Sequence, residues 1–124
     1  MQINETIATV TVSIETNETA VAVTVGDQTV TVPTSRVAEH IAHEIMSLLF
    51  TAQLHASAIS SNLGTMKTWA ATSADNYFET GAMPGSTAAT VRRAAECVTE
   101  AEENLRATFY KMQTLLSILK STNN

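Results

Sequence analysis

Hydrophobic and polar residues alternate one by one along the first part of the chain and then, after Pro33, recur at intervals of three and four almost to the end. Ala8, Val10, Val12 and Ile14 share one face of a strand with Thr9, Thr11 and Ser13 on the other, and Val21, Val23 and Val25 resume the alternation after a polar turn at Glu15 to Glu18. A tight Gly26-Asp27 turn leads into Val30 and Val32. The pattern over residues 1–33 therefore predicts an antiparallel three-stranded β-meander with one Val-rich and one Thr-rich face. Val and Thr are strand formers here, and no chemistry follows from them.

Pro33 ends the sheet, and Thr34 or Ser35 is placed to cap a helix starting at about Arg36. Val37, Ile41, Ile45, Leu48, Ala52, His55, Ile59 and Leu63 then recur at helical spacing, and Leu49, Phe50, Leu54 and Ala58 widen the stripe. Gly64 is the first weak point, although continuing the helix through it to Trp69 or Ala74 costs only about 1 kcal/mol. The periodicity stops between Asp75 and Gly85, where Gly81, Pro84 and Gly85 predict a connection and Ser86 or Thr87 offers a second cap. From Ala88 to about Lys120 a second stripe runs through Val91, Ala94, Ala95, Val98, Ala101, Leu105, Phe109, Met112, Leu116 and Leu119, its alanines permitting close helix approach. The last residues are expected to fray.

The expected fold is thus a single α+β domain over residues 1–124, with the β-meander in 1–33 and a long two-helix αα-hairpin in 34–124. Both stripes exceed what a small sheet can cover. They predict a homo-oligomer in which partner chains cover the remainder.

Composition narrows the partners. Seven Lys and Arg against twelve Asp and Glu give a formal net charge of −5, which opposes long nucleic acid because duplex affinity rests on neutralising many phosphates. A small anion needs only two or three cations and a helix N-terminus. One cysteine, Cys97, in a helical pattern leaves no disulfide framework and suits a buried thiol in a reducing cytoplasm. No basic stretch followed by an apolar run opens the chain, and no uncharged apolar run approaches membrane-spanning length, so neither a secretory signal nor a membrane span is expected.

Little in the sequence suggests catalysis. His40, His43 and Glu44 fall together on a helix, but no third or fourth zinc ligand matches their spacing and the order is not HExxH, so an exposed His–Glu pair is the expected reading and no metal is predicted. His55, within an apolar stripe, reads as a core or interface histidine. There is no GxSxG elbow, no GxxxxGK loop and no Cys with a plausible His. Glu100, Glu102 and Glu103 read as a solvated helix face pairing with Arg106. An enzyme ranks last, and no cofactor is predicted.

The stretch Ser61–Arg93 differs, because it gathers the only Trp and three of the seven cations. Trp69, Tyr77 and Phe78 offer flat surfaces for stacking a base, worth about 1–3 kcal/mol per base in nucleic-acid complexes. Asn76 and Asn62 each combine donor and acceptor for a base edge or ribose. Lys67, Arg92 and Arg93 suit phosphates, and the cap at Ser86 or Thr87 brings a positive helix end close to the arginines. The competing reading has the aromatics plug the core while the arginines pair with Glu96, Asp75 or Glu79.

Taken whole, a Val/Thr meander, two long helices, the segment SAISSNLGTMKTWAATSADNYF late in the first helix and an Arg pair early in the second make the chain similar to the phage anti-Thoeris sponge family, Thoeris anti-defence one. The resemblance implies a small viral protein that works in the host bacterial cytoplasm. There it would sequester, without cleaving, cyclic ADP-ribose isomers made by TIR-domain proteins, so that the Thoeris defence effector stays inactive. It implies assembly as a dimer or hexamer, and for some members further sites for cyclic di- or trinucleotides. Asn76 and Arg93 match the family's polar and cationic ligand contacts best, with Arg93 expected on the pyrophosphate. The aromatic ring that the family places ahead of the Asn falls to Met66 or Trp69, and Arg36, at the sheet-to-helix junction, would serve a second site between subunits. The alternative function is a structural or protein-interaction module with no small ligand, such as a phage assembly component or an inhibitor of a host protein.

Overall fold

The structure, a computed structural model, describes residues 1–80 and 85–123, without the side chains of 72–80 and 85–87. Four strands, β1 (Gln2–Ile7), β2 (Val10–Thr16), β3 (Ala20–Val25) and β4 (Gln28–Pro33), precede two helices, α1 (Arg36–Thr80) and α2 (Gly85–Ser121). The strands form one antiparallel sheet in the order β1-β2-β3-β4. The class is α+β, as the hydrophobic pattern predicts, but the meander has four strands where three are expected. Ala8 and Thr9 do not continue a strand. They form the turn between β1 and β2, with Ala8 at φ 54°.

The chain divides into two compact units, Met1–Leu54 with Leu105–Asn124, and His55–Asn104. In the first, Val12, Ile14, Val21, Val23 and Val25 are at most 1% exposed and Val32 is buried beside them. The register places all of these on one face, with Thr11, Ser13, Thr24, Thr29 and Thr31 on the other. The early turns of α1 bury Ala38, Ile41, Ala42, Ile45, Leu49 and Ala52, and the late turns of α2 bury Leu105, Met112, Leu116 and Leu119. Thr108 is the buried polar residue in this core. Val37, expected in the stripe, is 58% exposed, because the buried row starts one residue later at Ala38.

Side-chain hydrogen bonds tie the meander to α1. Asn17 Oδ1 accepts from the backbone N–H groups of Thr19 and Ala20, each at 2.9 Å, and closes the β2–β3 turn. Thr34 Oγ1 donates to the Asn17 carbonyl at 2.7 Å. That leaves Ser35 as the cap, its Oγ accepting from the Ala38 N–H at 3.1 Å while its carbonyl accepts from Glu39. Both expected cap residues are therefore used, but only Ser35 on the helix.

The first helix runs without a break through Gly64 to Thr80, past both expected ends. A methyl group at Gly64 would meet nothing within 4 Å, so the glycine lowers helix propensity there without serving a close contact. Residues 75–80 and Gly85, expected in a connection, are helical, whereas residues 81–84 lie outside the described residues, as do the side chains of Ser86 and Thr87, the expected caps. In the second unit Ala94, Val98 and Ala101 are buried, while Leu63 is 49% exposed. The C-terminus does not fray at once. The Thr122 N–H and Oγ1 both donate to the Leu119 carbonyl, and Asn123 N–H donates to that of Lys120. No described helix is long and apolar enough to cross a membrane.

Candidate functional site

The residues singled out for ligand binding divide between the two units. Arg36 is exposed at the first position of α1, in the first unit. Met66, Lys67, Trp69, Arg92 and Arg93 belong to the second.

Within the second unit, α1 presents Met66 half-buried, Lys67 exposed and Trp69 38% exposed. Asn62 and Trp69 are seven residues apart and so lie on nearly the same helical face, with position 76 a further seven along. One N–H of the Asn62 amide is engaged, Nδ2 donating to the Ala58 carbonyl one turn back at 2.7 Å. Thr65 and Thr68 likewise turn their hydroxyls back onto carbonyls of their own helix.

Asn76, Tyr77 and Phe78 lie in the last turns of α1, and their side chains are outside the described residues. Their backbone still matters. Successive helical positions are about 100° apart, so three in a row do not share one face of α1, which runs on past Asp75, where the periodicity is expected to stop.

Arg92 and Arg93 are exposed near the start of α2. They are not equivalent. Arg92 borders a shallow groove of about 380 Å³ lined also by Ala95, Glu96, Thr99, Glu100 and Glu103, in which one guanidinium faces three carboxylates. A phosphate placed there would meet more negative than positive charge. Arg93 is not among the residues lining that groove.

The remaining candidates resolve simply. His40 Nε2 stands 3.9 Å from Glu44 Oε1, one turn away, with the side chains 75% and 55% exposed. This contact is a solvated one, and an ion pair only when the histidine is protonated. Glu100, Glu102, Glu103 and Arg106 are exposed, and the expected pairing to Arg106 is not formed. No group of three or more potential metal ligands occurs among the described residues. His55 and Cys97 are half-buried, the cysteine less enclosed than expected.

A groove of about 530 Å³ is one that the sequence does not announce. It is lined by five consecutive residues of β4, Gln28 to Val32, and by Leu116, Ser117, Lys120 and Asn123 at the end of α2. The available signal was the uncharged segment QTVTVP next to a helix start, which reads as a strand but not as an edge. No protein-family model, curated protein or solved structure matches the chain.

Proposed function

We propose that this protein binds and sequesters a cyclic nucleotide immune signal of the cyclic ADP-ribose type, without cleaving it, and so blocks the bacterial Thoeris defence. The observation that carries the reading is the gathering of Asn76, Trp69 and Arg93 in one short stretch, in the pattern that resembles the anti-Thoeris sponges. Arg93 is exposed and lies outside the acidic groove that borders Arg92. Arg93 then contacts the pyrophosphate, Trp69 or Met66 lies against the base, and Asn76 reads a base or ribose edge. Sequestration needs only affinity and slow release. Homo-oligomerisation, as a dimer or hexamer, belongs to the same reading, and so do a cytoplasmic site of action and a further cyclic-nucleotide site at Arg36.

The test is calorimetric titration with cyclic ADP-ribose isomers and cyclic dinucleotides, followed by chromatography of the ligand released on denaturation. Saturable heat with the ligand recovered intact supports sequestration. Recovery of a cleaved product would make the protein a hydrolase, and silence with every ligand would remove the reading.

One observation favours a second reading, a protein-interaction module. Phe50 and Leu54, one helical turn apart on α1, are 55% and 71% exposed, a large apolar pair on the side of the helix away from the buried row. Under this reading a protein partner is retained by the parent chain and lost when both are changed to Ser, with nucleotides having no effect.

A further inference from the structure

The two edges of the sheet differ in a way that predicts what each can pair with. In the order β1-β2-β3-β4, β1 and β4 are both edge strands. The two-residue turn Gly26-Asp27, with Gly26 at φ 66°, makes Val25 and Gln28 the closing pair of the β3–β4 hairpin. Gly26 N–H donates to the Thr11 carbonyl on the opposite side and Thr34 N–H donates to the Thr19 carbonyl, which fixes the alternation. Gln28, Val30 and Val32 therefore bond to β3, and Thr29 and Thr31 turn their N–H and C=O groups outward.

At the other edge, β1 carries a guard. Its register puts Glu5 opposite Val12, on the same face as Ile3, Ile7 and the buried valines. An inward-pointing charge in an edge strand is one of the ways sheets avoid edge-to-edge pairing. The β4 segment, QTVTVP, has no charge, and its alternation is intact. The groove of about 530 Å³ runs along it, since consecutive residues of both faces line that groove, with Leu116, Ser117, Lys120 and Asn123 of α2 on its other side.

We infer that β4 is the pairing edge of this protein and that its occupant is β4 of a second copy, antiparallel across a two-fold axis that passes by Val30. In that register Thr29 N–H donates to the carbonyl of Thr31 in the copy and Thr31 N–H to that of Thr29, so four new hydrogen bonds use every outward donor of the two threonines. Val30, half-buried in the single chain, meets its own copy. The Val face continues as Val and the Thr face as Thr. Thr–Thr contacts already cross the sheet on that face, Thr24 Oγ1 to Thr29 Oγ1 at 2.9 Å and Thr6 Oγ1 to Thr11 Oγ1 at 3.4 Å. A charged strand would face its own like charge across the axis, and β4 has none. The result is a continuous eight-stranded sheet, and it does not depend on any ligand.

The test is the mass of the purified chain by sedimentation equilibrium, for the parent, Thr31→Pro and Thr6→Pro. Proline at position 31 deletes an outward N–H without removing a bond to β3, and position 6 is the matching outward site on β1. The Thr31→Pro protein is expected at half the parent's mass and the Thr6→Pro protein at the parent's mass. A second variant keeps the test open should Thr31→Pro fail to fold. Paired residues of this kind stand about 4.5 Å apart at Cα, within disulfide reach, so Val30→Cys in a Cys97→Ser background cross-links to a dimer under mild oxidation, whereas Ile3→Cys in the same background, which keeps the Glu5 charge on β1, does not. A parent of single-chain mass overturns the inference and leaves the edge to a foreign extended segment. A Thr31→Pro protein that keeps the full parent mass, or a Val30→Cys protein that forms no cross-link, overturns it equally.

Discussion

Ala8 occupies backbone space that side chains avoid. At φ 54° it is the one described non-glycine residue with positive φ, at the first central position of a two-residue hairpin turn where glycine is the usual occupant. Ala8→Gly removes a conformational cost of roughly 1–2 kcal/mol, partly offset by about 0.5–1 kcal/mol of extra unfolded-state freedom. The expected outcome is a small rise in stability, read as a higher urea midpoint with an unchanged slope. Ser35 is the opposite case, a residue whose loss is costly. Its Oγ holds the Ala38 N–H at the start of α1, and Ser35→Ala is expected to destabilise by about 1 kcal/mol, whereas Thr34→Ala acts through the bond to the Asn17 carbonyl.

Among the elements, the strands and helix starts that obey one period were legible from the residues alone. The Val rows of β2, β3 and β4, the Gly26-Asp27 turn and the Arg36 start all follow from spacing and turn chemistry. β1 escaped because Glu5 interrupts its inward row between Ile3 and Ile7, and because the turn after it uses Ala8, which gives no turn signal. The same glutamate that hides the strand from a hydrophobic pattern protects its edge. The end of α1 was misplaced because Gly64 and the weakly periodic stretch near Asp75 lower local propensity, whereas the helix continues through both. Gly64→Ala is accordingly expected to stabilise by about 1 kcal/mol, since a methyl group there meets open space. Unchanged or lower stability by urea titration would mean that something outside this chain approaches the helix at that point.

At the scale of the whole molecule the candidate site was legible in residue types but not in arrangement. Composition drew attention to Trp69, Asn76, Tyr77, Phe78, Arg92 and Arg93, yet a helix extending to Thr80 spreads positions 76 to 78 over different faces, and Arg92 borders an acidic groove. The central claim is that Arg93 holds the pyrophosphate of a cyclic ADP-ribose isomer. The most direct measurement is a pair of calorimetric titrations of one such isomer into the parent protein and into Arg93→Ala, with thermal melts confirming that both are folded. Saturable binding by the parent and affinity at least about tenfold weaker in the variant are expected, as for the loss of a charge-assisted contact. Equal affinity in the two proteins, or no binding by the folded parent, would contradict it.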